Sequence, residues 1–173
     1  MKKIIIRYGL IAGAIVSVLM LLSLPLMNNL SKENEGISML VGYVSMILSI
    51  STIFIAIKTF RDKYNEGKIK FGKAFLIGLC ITLIAAAIYA LVFVIADALS
   101  GEAFVESYRN MQLDKINSDT TINLDQKHVE ITKMEEQMEM YRNPIVKFFF
   151  TMLEYFPVGL GASLLAALIL KKK

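Results

Sequence analysis

Four long apolar blocks separated by polar segments dominate this chain. They contain 24 to 26 residues each and occupy residues 4–27, 37–60, 74–99 and 145–170. At a helical rise of about 1.5 Å per residue, such blocks are roughly 36 to 39 Å long, which exceeds the hydrocarbon thickness of about 30 Å. The pattern therefore predicts an all-α polytopic membrane protein, with four transmembrane helices in a single membrane domain over residues 1–173.

The connection between the third and fourth blocks, residues 100–143, is the only long polar segment. Its apolar residues recur at helical spacing in two runs. Asn123 followed by Gln126 resembles a capping box, and Asn143-Pro144 ends the second run. We expect an extracytoplasmic amphipathic helical hairpin whose two narrow apolar faces pack on each other, Phe104, Tyr108 and Met111 against Ile131, Met134, Met138 and Tyr141.

Charge is distributed unevenly around the blocks, although the net charge is only +4. The termini, Lys58 and the loop at 61–73 together carry twelve bases and two acids, whereas the rest of the chain carries seven bases and thirteen acids, Glu154 included. Basic residues in short loops are retained in the cytoplasm, so both termini are expected there. Because the bases flank membrane segments, we expect them to face anionic lipid and not nucleic acid.

The first apolar block follows Met1-Lys2-Lys3, a start that a cleavable secretory signal also has. Its apolar run is longer than the roughly 7 to 15 residues of such a signal. We therefore expect a retained signal-anchor helix.

Recognisable catalytic chemistry is missing from the sequence. We find no glycine-rich phosphate loop, nucleophile elbow or zinc signature, and one histidine, His128, is too few for a nitrogen-rich metal site. We therefore expect no catalytic residue, cofactor or metal. A carboxylate-only site is a less favoured alternative to a solvated acidic face, and it would use Glu130, Glu135, Glu136 and Glu139.

Small residues recur at four-residue spacing on three of the blocks. Such stripes let helix backbones approach closely in a bilayer. Ordinary packing inside the bundle is favoured, and a dimer seam is the alternative. The stripes are Gly9, Gly13 and Ser17; Gly78, Thr82, Ala86 and Ala90; and Gly159, Ser163 and Ala167.

Glu154 is the strongest candidate for a functional group, because it lies about nine residues into the last block. Charged residues at membrane depth usually face the bundle or a wet cavity. Pro157 follows three residues later and disrupts a helical hydrogen bond. Tyr43 and Tyr89 fall at comparable depth. We predict a candidate intramembrane polar site formed by Glu154, Pro157, Tyr43 and Tyr89.

An interfacial Glu154 is the equally weighted alternative. In that interpretation its carboxylate reaches water or the nearby Lys147. Asp97 is closer to its helix end and is expected to be interfacial.

Three stretches, 57–62, 67–75 and 143–173, resemble a bacterial membrane protein family known as domain of unknown function 4199. They read Ile-Lys-Thr-Phe-Arg-Asp, then Gly-Lys-Ile-Lys-Phe-Gly-Lys-Ala-Phe, and then a segment from Asn143-Pro144 through Phe156-Pro157-Val158-Gly159 to the terminal lysines. The resemblance implies four transmembrane helices in a bacterial inner membrane. It supplies no activity and no site residue.

Two functions are consistent with these features. The favoured one is a non-enzymatic structural or interaction protein of the envelope, embedded in the lipid bilayer, with a second copy or an envelope protein bound through residues 100–143. The alternative is a small permease or channel component with Glu154 in its polar site. A membrane enzyme ranks third.

Overall fold

The computed structural model describes residues 1–27, 35–101 and 103–172, except for the side chains of Leu26, Met27, Glu35, Ser38 and Phe104. Within these ranges the chain forms six α-helices. They are α1 (Lys2–Met27), α2 (Glu35–Tyr64), α3 (Phe71–Leu99), α4 (Ala103–Ser118), α5 (Leu124–Arg142) and α6 (Pro144–Leu170). Most of the connection expected between the first two blocks, residues 28–34, lies outside the described residues.

Helices α1, α2, α3 and α6 are long and apolar enough to cross a membrane, with candidate spans of 24, 26, 29 and 27 residues. The predicted all-α fold with four membrane-length helices is therefore confirmed. Helix α2 continues beyond its apolar block to Tyr64. Its last turn contains Arg61 and Lys63, which are good helix formers and complement the negative end of the helix dipole.

The bundle core lies around α3, which packs on α6, α1 and α2. Its largest fully buried side chains include Ile53 and Ile57 of α2, Ile77 and Ile81 of α3, and Tyr155 of α6. The outward faces of the long helices are also apolar and exposed, in contrast to the polar outside of a soluble bundle. Such an exterior is suited to contact with lipid.

Glycines bring α3 against both of its main neighbours. A Cβ atom at Gly9 or Gly13 of α1 would lie 2.8 Å from atoms of Ile84 or Ile88 in α3. At Gly159 of α6 a Cβ atom would lie 2.2 Å from Thr82 Cγ2. These contacts lie within one chain, so internal packing is confirmed as the role of these glycines.

One end of the bundle gathers the chain termini and the short loop between α2 and α3. Ile69 and Lys172 exchange two backbone hydrogen bonds of 2.9 Å each. The Arg61 guanidinium donates to the carbonyl of Leu170 at 3.3 Å. Gly67 turns the loop with a φ of 75°, a conformation that favours glycine. The hairpin of α4 and α5 follows the opposite end of α3.

The hairpin has the two amphipathic helices that the sequence predicts. The predicted capping box at α5 is confirmed, because Asn123 Oδ1 accepts from the Gln126 backbone and Gln126 Oε1 accepts from the Asn123 backbone, each at 2.9 Å. Met111 and Met134 are buried. The remaining residues of the two stripes, Tyr108, Ile131, Met138 and Tyr141, are half-buried, and the side chain of Phe104 lies outside the described part.

Two ion pairs join the helices of the hairpin. Arg109 donates to Glu135 at 2.8 Å, and Arg142 donates to Glu106 at 3.0 Å. All four side chains are about a third or more exposed, so each pair is worth only about 0.2 to 1 kcal/mol. The ion pairs therefore contribute only weakly to holding α4 against α5.

Candidate functional site

Glu154 lies on the outer side of α6 and not in the four-helix core. The helix continues through Pro157, although its ring removes the hydrogen bond to the carbonyl of Leu153. Glu154 and Pro157 are both exposed, while the next residue after Glu154, Tyr155, is fully buried in the core. The carboxylate therefore faces away from the bundle interior.

The two tyrosines expected beside Glu154 differ in exposure and lie on different helices. Tyr43 is 57% exposed on α2. Tyr89 is buried in α3, where its ring lies 5.9 Å from that of Tyr155. Neither phenol hydrogen-bonds to Glu154 within the described ranges. The grouping of Glu154, Pro157, Tyr43 and Tyr89 as one polar site stays a prediction.

Asp97 and Lys147 form a buried ion pair between the end of α3 and the start of α6. The Lys147 ammonium donates to Asp97 Oδ2, and the two side chains are 4% and 0% exposed respectively. Asp97 lies near its helix end, as expected, but it is buried against a cation from another helix, and its interfacial depth stays a prediction. Lys147, considered above as a partner of Glu154, pairs with Asp97 instead.

This ion pair offsets an unfavourable placement of both charges. An acid near a helix C-terminus and a base near a helix N-terminus each oppose the helix dipole. Asp97 is two residues from the end of α3, and Lys147 is in the first turn of α6. Asp97 Oδ1 is buried and has no hydrogen-bond partner among the described residues. The burial of these two charges is thus explained by the packing of α3 on α6, which brings them together.

Tyr141 connects the ion pair with the hairpin. The Lys147 ammonium lies 5.8 Å from the centroid of its ring, and its hydroxyl is hydrogen-bonded to Thr151 Oγ1 at 3.4 Å. Burial raises the pKa of the Tyr141 phenol, the bond with Thr151 opposes this, and the carboxylates of Glu154 and Asp97 raise it further. Burial and both carboxylates therefore favour the neutral phenol.

A cavity of about 510 Å³ lies between the base of the hairpin and α6. Among the described residues that line it, Glu154 is the only carboxylate, and the phenols of Tyr108 and Tyr141 also line it. The wall is otherwise mainly apolar and includes Val105, Met138, Val146 and Phe150. Glu154 thus faces a cavity formed by three helices, of which two belong to the hairpin.

Comparison with protein-family models gives a match to the family described as protein of unknown function (DUF4199), over residues 7–172. The chain belongs to this family. The match includes the hairpin, for which the sequence alone shows no pattern of the family. Neither the curated proteins nor the solved structures contain a match to this chain.

A second polar group of this DUF4199 protein lies in the bundle core. Ser49 Oγ donates to the Ala12 carbonyl at 2.7 Å and lies 2.7 Å from the Tyr155 hydroxyl, which links α1, α2 and α6. Sequence reasoning did not single out Ser49 or Tyr155. Serines and tyrosines are common in membrane helices, so only their burial distinguishes them here.

The part of the protein that the structure describes contains no group of three or more His, Cys, Asp or Glu side chains able to hold a metal ion. Within the acidic face of α5, Glu135 pairs with Arg109, and Glu139 lies 3.8 Å from the Nε atom of Arg142. These carboxylates are thus placed beside arginines.

Proposed function

We propose that this DUF4199 protein is a non-enzymatic interaction protein of the bacterial inner membrane, and that α4 and α5 form its partner-binding element. The supporting observation is the excess of acidic over basic residues on α5, five against three. Asp125, Glu130 and Glu136 are exposed there, while the hairpin's own arginines pair with Glu106 and Glu135. A complementary partner presents basic side chains, either in another envelope protein or in a second copy of this chain.

The orientation is part of the same proposal. The termini and the loop between α2 and α3 share one end of the bundle, and this end carries the excess of basic residues. By the positive-inside rule that end is cytoplasmic, so the hairpin is extracytoplasmic.

A photoreactive amino acid at Val129 tests the partner-binding element in intact membranes. Val129 is 52% exposed on α5 beside Glu130. We expect a discrete crosslinked species, whose mass distinguishes a second copy from another protein. Reversing the charges with Glu130→Lys and Glu136→Lys in the same chain removes the species. The matched control carries the photoreactive group at the exposed Glu66, at the opposite end of the bundle.

Absence of a crosslinked species from Val129 in native membranes would contradict this function. A species that persists after charge reversal would contradict the acidic surface as its cause.

A permease or channel component is the second candidate, and the cavity at Glu154 favours it. A carboxylate on a membrane-length helix that lines a cavity is a common feature of transport sites. Proteoliposomes test this candidate through proton flux: Glu154→Gln abolishes the flux of a proton-coupled carrier, whereas Glu136→Gln preserves it. No flux from the unmodified protein would reject proton coupling.

A further inference from the structure

The cavity between the hairpin and α6 contains a carboxylate, that of Glu154, which has no ion-pair partner in the described part of the chain. Glu154 has no hydrogen bond or ion pair with any residue of the described ranges, and Lys147, two turns earlier on the same helix, is committed to Asp97. A carboxylate beside an apolar wall is best stabilised by a cation. The charge of the cavity thus selects for a positively charged ligand.

The aromatic rings that line the same cavity also favour a positively charged ligand. Tyr108, Tyr141 and Phe150 line it, and the rings of Tyr141 and Phe150 pack edge to face at 6.3 Å and 73°. The face of an aromatic ring attracts an ammonium within about 6 Å of its centroid. The rings and Glu154 together therefore resemble a cage for an amine.

The rest of the cavity is suited to a hydrocarbon chain. Val105, Met138 and Val146 contribute apolar wall. The volume of about 510 Å³ falls within the range of about 300 to 1,000 Å³ that is usual for small-molecule sites. Phe149 and Leu153, the neighbours of two lining residues on α6, are 61% and 62% exposed and add apolar surface beside the cavity.

We propose that this cavity binds a single-chain amphiphile with a positively charged amine. The ammonium lies against the Glu154 carboxylate and the Tyr108 ring, because the Tyr141 ring already lies beside the Lys147 ammonium, and the aliphatic chain lies along the apolar wall. This binding site requires neither partner binding by α5 nor transport, so it stands apart from both functions considered above.

Calorimetric titration of the full-length protein in nanodiscs tests the site. The probe is dodecylammonium, dodecanol is the neutral probe of equal chain length, and empty nanodiscs account for partition into lipid. We expect saturable binding of dodecylammonium and none of dodecanol. Glu154→Gln weakens the affinity at least about tenfold. Glu136→Gln, which removes an exposed carboxylate outside the cavity, leaves the affinity unchanged.

Two variants at Tyr108 test whether its aromatic ring contributes to the affinity for dodecylammonium. Tyr108→Phe keeps the ring and retains the affinity, whereas Tyr108→Leu lowers it. Equal affinity for dodecanol and dodecylammonium in the unmodified protein, a comparison that needs no variant, would overturn the proposal. Unchanged affinity in Glu154→Gln would also overturn it and would show apolar filling of the cavity only.

Discussion

Three charged residues on the membrane-length helices differ in exposure because different helices pack against them. Asp97 and Lys147 are buried because α3 and α6 bring them together, and Glu154 is exposed although it lies ten residues into a membrane-length helix. The effect on stability of removing each charge therefore depends on the residue that lies next to it.

Removing one partner of the buried ion pair is expected to destabilise the protein strongly. Lys147→Met leaves the Asp97 carboxylate buried without a cation, at a cost of about 3 to 5 kcal/mol in the free energy of unfolding. The double variant with Asp97→Leu recovers most of this loss, because no charge stays buried. Unfolding in SDS titrations of detergent-solubilised protein measures both effects. Lys133→Met, at an exposed position of α5, is the control and changes little.

Tyr141 is expected to titrate at higher pH than a free tyrosine, whose pKa is 10.0. Burial holds the phenol neutral, so its contribution to stability is fully present below pH 10.0 and is lost as the pH rises through the folded-state pKa. Ultraviolet difference spectra between the protein and Tyr141→Phe measure this titration. A transition of Tyr141 at or below the free value would contradict its burial.

At the scale of elements, two kinds of contact hold the helices. Glycine contacts join α3 to α1 and α6, whereas ion pairs join α4 to α5. Apolar burial contributes little between helices in lipid, so close backbone approach dominates in the bundle. Each hairpin helix also buries a methionine of its apolar stripe, Met111 in α4 and Met134 in α5.

Gly159→Ala is expected to weaken the packing of α6 on α3. The added methyl group would lie 2.2 Å from Thr82 Cγ2, and overpacking of this kind costs about 1 to 3 kcal/mol. Gly161→Ala is a close control, because no atom lies within 4 Å of its added methyl group. In thermal unfolding, Gly159→Ala should unfold at a lower temperature than Gly161→Ala. Adding Thr82→Ala to Gly159→Ala should restore part of the lost stability.

Met134→Asp is expected to open the hairpin without affecting the bundle. Its side chain is 8% exposed, and loss of a buried methionine costs about 2 kcal/mol or more. Trypsin should then cleave at Lys115 or Lys127 at least about tenfold faster. Val129→Asp, at a 52% exposed position, should leave the rate unchanged. Equal rates in the two variants would show that the stripe is not what holds the hairpin.

At the scale of the whole molecule, the ends of the bundle differ in charge and in structure. One end contains both termini and the basic loop, and the hairpin follows the other end of α3. A reporter enzyme that is active only outside the cytoplasm should be active when fused near Asn117 and silent after Lys173. The reverse pattern would invert the proposed orientation.

The sequence by itself determined the features that depend on local patterns. Apolar blocks of sufficient length predicted four membrane helices, helical spacing predicted α4 and α5, and Asn123 with Gln126 predicted a capping box, since each signal lies within a few turns of the chain. These features were confirmed because they depend on residues that are close together in the sequence.

Only the tertiary structure decided which polar residues meet. Asp97 and Lys147 are 50 residues apart, and Ser49 and Tyr155 are 106 apart, so no periodicity relates them. The same holds for Glu154, whose depth along α6 left a place in the bundle interior and an interfacial place equally weighted. Its rotation about the helix axis, set by how α6 packs on α3, turns it outward to the cavity beneath the hairpin. Depth is readable from a linear sequence, but rotation depends on the neighbouring helices.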